Sequence, residues 1–198
     1  IKELHIEFDA NFASVQKRAI HTIEIILDIL NKKNSEIKKA WELNERHYGA
    51  LTGLNKDEMM KKHGKKQVHI WRRSFDVPPP PMKKTNLNHP SKNKAYENIP
   101  ANKIPDSESL KNTFERVIPY YEKNIKPLLS SNKNVFISAH GNSLRALCKN
   151  LLNISNEKIL NFEIPTGNPL LIAFNENLEV KKYKYLDAKR ARKIIFNK

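Results

Sequence analysis

Four consecutive residues, His140-Gly141-Asn142-Ser143, follow the apolar run Val135-Phe136-Ile137-Ser138-Ala139 and precede a stretch with Leu144, Leu147, Cys148 and Leu151 at helical spacing. A histidine there stands at the carboxyl end of an expected strand, where open α/β sheets bind ligands. The next helix aims free N–H groups and its positive dipole end at the same place, and glycine permits close backbone approach. The junction suits a phosphate; a histidine hydrogen-bonded to a neighbouring loop fits the same residues. A second candidate is Glu45-Arg46-His47-Tyr48-Gly49, at the end of another expected strand. Its carboxylate beside an arginine, a histidine and a tyrosine could serve acid–base chemistry, and a salt-bridged turn accounts for it as well. Trp71-Arg72-Arg73 could clamp a carboxylate or phosphate through bidentate hydrogen bonds, or be a surface pair. Arg18 can point a guanidinium at an anion from the start of the first helix. Several cations, one carboxylate and one histidine at strand ends and helix starts are the inventory for handling a small phosphorylated acid.

The elements that must position these groups alternate. Phe8 to Ser14 reads as a short strand, and Val15, Ala19, Ile23, Ile26, Leu27 and Leu30 place an amphipathic helix over residues 15–30. Lys39 to Asn44 reads as a second strand. Residues 56–71 read as helical with a break near Gly64. Pro78 to Pro81 bars any helix or central strand, and a Pro/Lys/Asn-rich connection runs over residues 78–105. Leu110, Phe114, Val117, Ile118, Tyr121 and Ile125 define a helix, capped by Asp106 or Ser107 and ended by Pro127. The run Val135 to Ala139 fits a strand buried on both faces of a parallel sheet. Pro169 to Phe174 and Val180 to Leu186 read as strands, and Ala188 to Lys198 as a basic helix within a basic tail over residues 179–198. The class is α/β with helices on both faces of the sheet.

The chain has 198 residues, which suits one domain, and its 39% hydrophobic and 29% charged residues exclude a disordered chain. No apolar run approaches the ~18 residues of a transmembrane helix. The lone Cys148 excludes an internal disulfide framework and fits a reducing compartment. Of 36 basic residues 28 are Lys, and with 23 Asn and 20 Ile the +15 charge fits A/T-rich coding as well as it fits a polyanion partner. Net +6 falls on residues 56–84 and again on residues 179–198, as a solvated lysine face or an anion-attracting surface. No nucleic-acid module is recognisable, and the aromatics do not interleave with the basic runs.

The joined runs Glu45-Arg46-His47-Tyr48-Gly49-Ala50-Leu51, Gly53-Leu54-Asn55-Lys56, Gln67 to Asp76 with Pro78-Pro79-Pro80, Ala139 to Leu147 and Ile164-Pro165-Thr166-Gly167 resemble the cofactor-dependent phosphoglycerate mutases of the histidine phosphatase superfamily. The resemblance covers Phe8 to Leu186. It implies the three-layer α/β/α phosphoglycerate mutase fold with a mostly parallel sheet. It also implies interconversion of 3-phosphoglycerate and 2-phosphoglycerate through a phosphohistidine, primed by 2,3-bisphosphoglycerate and without a metal. By resemblance Glu45 is the general acid/base, and His140 stabilises charge on the transferring phosphoryl group. Arg18 grips that group, with Gly141 and Asn142 as neighbouring donors. Arg46, Tyr48, Lys56, Arg72 and Arg73 match the substrate-binding set. The resemblance further implies a cytoplasmic enzyme of glycolysis and gluconeogenesis, with small phosphorylated acids as partners, neither nucleic acid nor membrane, and dimers or tetramers as in many members.

The family's phosphorylated histidine lies in an Arg-His-Gly motif at the end of the first, central strand, and no Arg-His-Gly occurs in these 198 residues. The expectation is a single mutase-like domain over residues 1–198 short of that strand, with a segment preceding Ile1 that carries it. Intact mass tests this; a mass equal to the 198 residues alone would sink it. Residues 83–103 keep Pro90 and Tyr96 of the family pattern but read His89-Pro90-Ser91 where a Trp-Pro-Gly turn is common. Two alternatives stand beside the mutase: a phosphatase using the same pocket, and an inactive phosphate-ester-binding homologue.

Overall fold

The computed structural model describes residues 1–191. Its centre is a parallel sheet in which β1 (Ala10–Ser14) lies between β2 (Ile37–Ala40) and β3 (Val135–Ser138). The register pairs Phe12 with Lys38 on one side and with Ile137 on the other. Every residue of β1 is buried, as a central strand requires. Its side chains alternate between two cores, following the two-residue period of a strand. Ala10 and Phe12 pack with Leu110, Val117, Ala146 and Leu147, from α4 (Leu110–Tyr120) and α6 (Gly141–Leu151). Ala13 packs on the opposite face against Ile23 and Leu27 of α1 (Lys17–Ile29). Helices therefore cover both faces, and the three-layer α/β/α arrangement follows.

The remaining elements flank this core. α2 (Lys56–His63) and α3 (Lys65–Arg73) meet at Gly64, whose φ of 81° lies in the left-handed region that glycine enters without strain. A π-helical turn, Tyr121–Ile125, follows α4 and leads into α5 (Lys126–Ser130). β4 (Leu170–Phe174) and β5 (Val180–Tyr185) form an antiparallel hairpin, and α7 covers Ala188–Ala191.

Several expectations are corrected. The second strand ends at Ala40, and Trp41–Leu43 is a 3-10 turn, so the chain swings off the sheet before Asn44. The cap of α4 is Ser109, whose hydroxyl accepts the Asn112 N–H at 3.2 Å while Asn112 Oδ1 accepts the Ser109 N–H at 3.0 Å. The other two candidates are engaged elsewhere. Asp106 binds His89 Nε2 at 2.9 Å, and Ser107 Oγ donates to the Pro79 carbonyl at 2.7 Å. Pro127 does not end the helical run; it sits in the first turn of α5, where its missing N–H is harmless. Val135, Phe136 and Ile137 of β3 are only partly buried. The hairpin is a separate two-stranded sheet, so the parallel sheet has three strands among the described residues. Of the expected C-terminal helix, Ala188–Ala191 forms, and residues 192–198 lie outside the described residues.

The connection over residues 78–105 is ordered by specific contacts. Ala50 N–H donates to the Pro80 carbonyl at 2.8 Å, and Met82 N–H to the Asp106 carbonyl at 2.9 Å. Met82, His89 and Tyr96 are buried plugs within it. Cys148 is a free thiol inside the core, 4% exposed, and burial pushes its pKa up to about 12.

Candidate active site

Three strands deliver the site to the carboxyl-terminal end of the parallel sheet. β1 ends at Ser14, β2 leads through its turn to Glu45, and β3 leads to His140. Parallel strands end together on the same side, which brings these distant residues close.

Glu45 is fixed from its own chain and from α6. Its Oε1 accepts the Arg46 N–H at 2.8 Å, the Asn142 N–H at 3.3 Å and Asn142 Nδ2 at 3.0 Å. Asn142 Nδ2 also donates to the Tyr48 hydroxyl at 2.9 Å. The amide is oriented by Arg145, whose Nη1 donates to Asn142 Oδ1 at 2.8 Å. Arg145 is 4% exposed, and burial followed by the charges of Arg73 and Arg46 lowers its pKa to about 10, so it stays cationic at neutral pH.

A cavity of about 650 Å³ opens beside these groups. Glu45, Tyr48, Lys56, Arg72, Arg73, Gly141 and Asn142 all line it. Lys65, Lys66, His69, Arg145 and Glu163 join them. Arg73 pairs with Glu163, and Arg72 lies over the Tyr48 ring at 5.1 Å. The wall is thus strongly cationic with two carboxylates, a composition suited to a small multiply charged anion. Among the described residues, no group of three or more His, Cys, Asp and Glu is clustered as a metal site.

His140 sits beside the cavity rather than in its lining, 6% exposed. Its Nδ1 accepts Arg18 Nε at 3.0 Å, so its proton is on Nε2, which faces Ser14 Oγ at 2.7 Å. Burial first, then the Arg18 and Arg116 guanidiniums, lowers its pKa to about 3, and the imidazole is neutral at neutral pH. Arg18 Nη2 also donates to Gln16 Oε1 at 3.1 Å.

Two residues of the sequence motifs point elsewhere. Arg46 is 2% exposed and lies under the Tyr48 ring at 4.6 Å, with Nη2 donating to the Arg72 carbonyl at 3.0 Å. It braces the end of α3 and does not line the cavity. His47 turns toward His89, 6.3 Å between ring centroids, and burial lowers its pKa. The sequence reading passed over Arg145, Glu163, Ser14 and Gln16. Arg145 carried one signal: a cation beside the apolar stripe of a helix that must pack on the sheet.

The chain matches the family model of the histidine phosphatase superfamily, branch 1, over residues 2–183. It is 49% identical over 195 residues to the 2,3-bisphosphoglycerate-dependent phosphoglycerate mutase of Pelagibacter ubique, covering 98% of this chain and 82% of the relative. The protein of that name from Hyphomonas neptunium is 49% identical over 191 residues, covering 96% and 79%. Among solved structures, a mycobacterial glucosyl-3-phosphoglycerate phosphatase superposes with a TM-score of 0.59 at 14% identity, over 90% of this chain and 76% of that one. Mycobacterial hydrolase 1 gives 0.62 at 14% identity, over 90% and 74%. At that identity the two structures speak to the fold alone.

Proposed function

Since the chain belongs to the histidine phosphatase superfamily, among the 2,3-bisphosphoglycerate-dependent phosphoglycerate mutases, we propose that its cavity interconverts 3-phosphoglycerate and 2-phosphoglycerate. The observation that carries the reading is one cavity gathering a carboxylate, Glu45, with the cations Lys56, Arg72, Arg73 and Arg145. Such a set matches a substrate with a carboxylate, a phosphate and a hydroxyl that must lose a proton.

In this reading Lys56, Arg72, Arg73 and Tyr48 hold the carboxylate and the phosphate that stays on the substrate. Glu45 takes the proton from the attacking hydroxyl and returns one to the leaving oxygen. Arg18 and the Asn142 amide supply donors to the transferring phosphoryl group, and His140 stabilises its charge. Burial, and after it the Arg18 guanidinium, depresses the His140 pKa, and a phosphoryl dianion near Arg18 offsets the second of these, so that the pKa rises when substrate arrives. The donor set suits 2,3-bisphosphoglycerate, which when bound supplies the phosphoryl group that primes the family's histidine. The unpartnered, buried Nε of Arg145 and the cation excess of the wall fit its charge. The same reading places the enzyme in the cytoplasm, acting in glycolysis and gluconeogenesis on small phosphorylated acids.

The test is an assay of the full-length protein with 3-phosphoglycerate and catalytic 2,3-bisphosphoglycerate. Rapid formation of 2-phosphoglycerate is expected, falling ~100-fold or more in kcat for Glu45→Gln with little change in KM. Phosphate release without isomerisation would favour a phosphatase, and binding without turnover a phosphate-ester-binding homologue; either result overturns the mutase.

A further inference from the structure

Behind the cavity lies a buried ion pair with no assigned role. Arg116 and Glu108 have side chains 9% and 5% exposed. The pairing is bidentate: Arg116 Nε donates to Glu108 Oε1 at 2.6 Å, and Nη2 to Oε2 at 2.9 Å. The rest of the Arg116 fork serves main chain. Nη1 donates to the Glu42 carbonyl, and Nη2 reaches the carbonyls of Asn44 at 3.0 Å and Glu45 at 3.4 Å. Glu108 completes the grip, since its Oε2 accepts the His47 N–H at 2.9 Å and its own N–H donates to the His47 carbonyl at 2.9 Å.

The gripped stretch, residues 42–47, has no strand partner beyond Ala40, and Glu45 stands within it. A 3-10 turn and a loop would not by themselves keep a carboxylate in one place. A buried ion pair is also a poor way to gain stability, because desolvation offsets most of its attraction and an apolar pair of equal volume serves as well. What this pair provides is geometric: one rigid guanidinium held by one carboxylate fixes three carbonyls at once. We propose that Glu108 and Arg116 are positioning residues that hold the main chain carrying Glu45, so that its carboxylate stays in register with Asn142 and the bound substrate. The proposal rests on the mutase reading only for the task given to Glu45.

Arg116→Lys keeps the charge and loses the fork, and Glu108→Gln keeps the shape and loses the charge. In the full-length protein Arg116→Lys is expected to lower kcat ~10- to 100-fold, as small misplacements of a catalytic group do. KM for 3-phosphoglycerate should change less than kcat, because Lys56, Arg72 and Arg73 stand on α2 and α3, which the clamped stretch reaches through Arg46 at the Arg72 carbonyl. Guanidinium ion should restore part of the kcat of Arg116→Gly. Amide exchange at Arg46 and His47 should quicken at least ~10-fold in Arg116→Lys while that of the separate β4–β5 hairpin does not change. An unchanged kcat in a folded Arg116→Lys overturns the proposal, as does parallel loss of kcat, KM and melting temperature without guanidinium rescue. If Arg116→Gly does not fold, Arg116→Lys and Glu108→Gln decide the matter. A wild-type protein without isomerase activity would defeat the mutase reading instead, and the exchange experiment would still uphold or overturn the clamp.

Discussion

At the residue scale, His140 holds the most testable chemistry. Its folded pKa of about 3 lies below its ordinary 6.5, so folding favours the neutral ring. The stability tied to this ring is therefore complete above pH 6.5. It is lost as pH falls from 6.5 toward 3, at a rate approaching ~1.4 kcal/mol per pH unit. Thermal melts of the ligand-free protein from pH 7 to pH 4 should show this loss, and added inorganic phosphate should lessen it by engaging Arg18. Histidine NMR titration should show the His140 midpoint rising with phosphate; a midpoint that ignores phosphate would remove Arg18 and His140 from the anion site. Glu45 and the arginine pair, which line one cavity, were singled out in the sequence because they stand in short motifs, and so was His140, which lies beside it. The direction of Arg46 was not legible there. Glu45 to Tyr48 form a loop with no repeating side-chain direction, and the packed structure decides that Tyr48 faces the cavity while Arg46 lies beneath its ring.

At the element scale, the Pro78 to Pro81 run and the turn at Gly49 act as one piece. Gly49 has a φ of 55°, and a Cβ built there would lie 2.1 Å from the Pro80 carbonyl oxygen and 2.7 Å from Ser107 Oγ. Rotating the hydroxyl would not clear the space, since Ser107 Cβ would lie 2.9 Å away, and the Pro80 carbonyl is held by Ala50 N–H. Gly49→Ala should therefore cost at least ~2 kcal/mol and lower the melting temperature by several degrees. Gly53→Ala is the control: its φ of 78° brings strain, yet no atom lies within 4 Å, so its loss should be smaller. α1, the break at Gly64 and β3 were legible because periodicity and glycine are local signals. The cap of α4 was not, because Asp106, Ser107 and Ser109 all have the right chemistry. The choice was settled by His89 and Pro79, which engage the first two and leave Ser109 to the helix.

At the scale of the whole molecule, the +15 charge acquires a location. Lys65 and Lys66 line the cavity in the first turn of α3, and His69, Arg72 and Arg73 continue the basic face along the helix. An anionic substrate approaching this wall should be steered, so kcat/KM should fall as ionic strength rises from about 10 to 150 mM. Lys65→Gln with Lys66→Gln should flatten that dependence with kcat unchanged; an equal slope in the double variant would make these lysines ordinary solvated charge. The sequence located a net +6 on residues 56–84 but left open whether it is a solvated face or an anion-attracting one, because α3 had to fold before its cations shared a face. The single cysteine has a further consequence. Cys148 sits between the α4–α6 layer and the sheet, and its raised pKa leaves almost no thiolate at neutral pH. It reacts only when that layer opens, so the molecule carries its own stopwatch. The rate at which a small alkylating reagent labels this one sulfur, set against the rate for the unfolded chain, reads the free energy of opening directly and without an added probe.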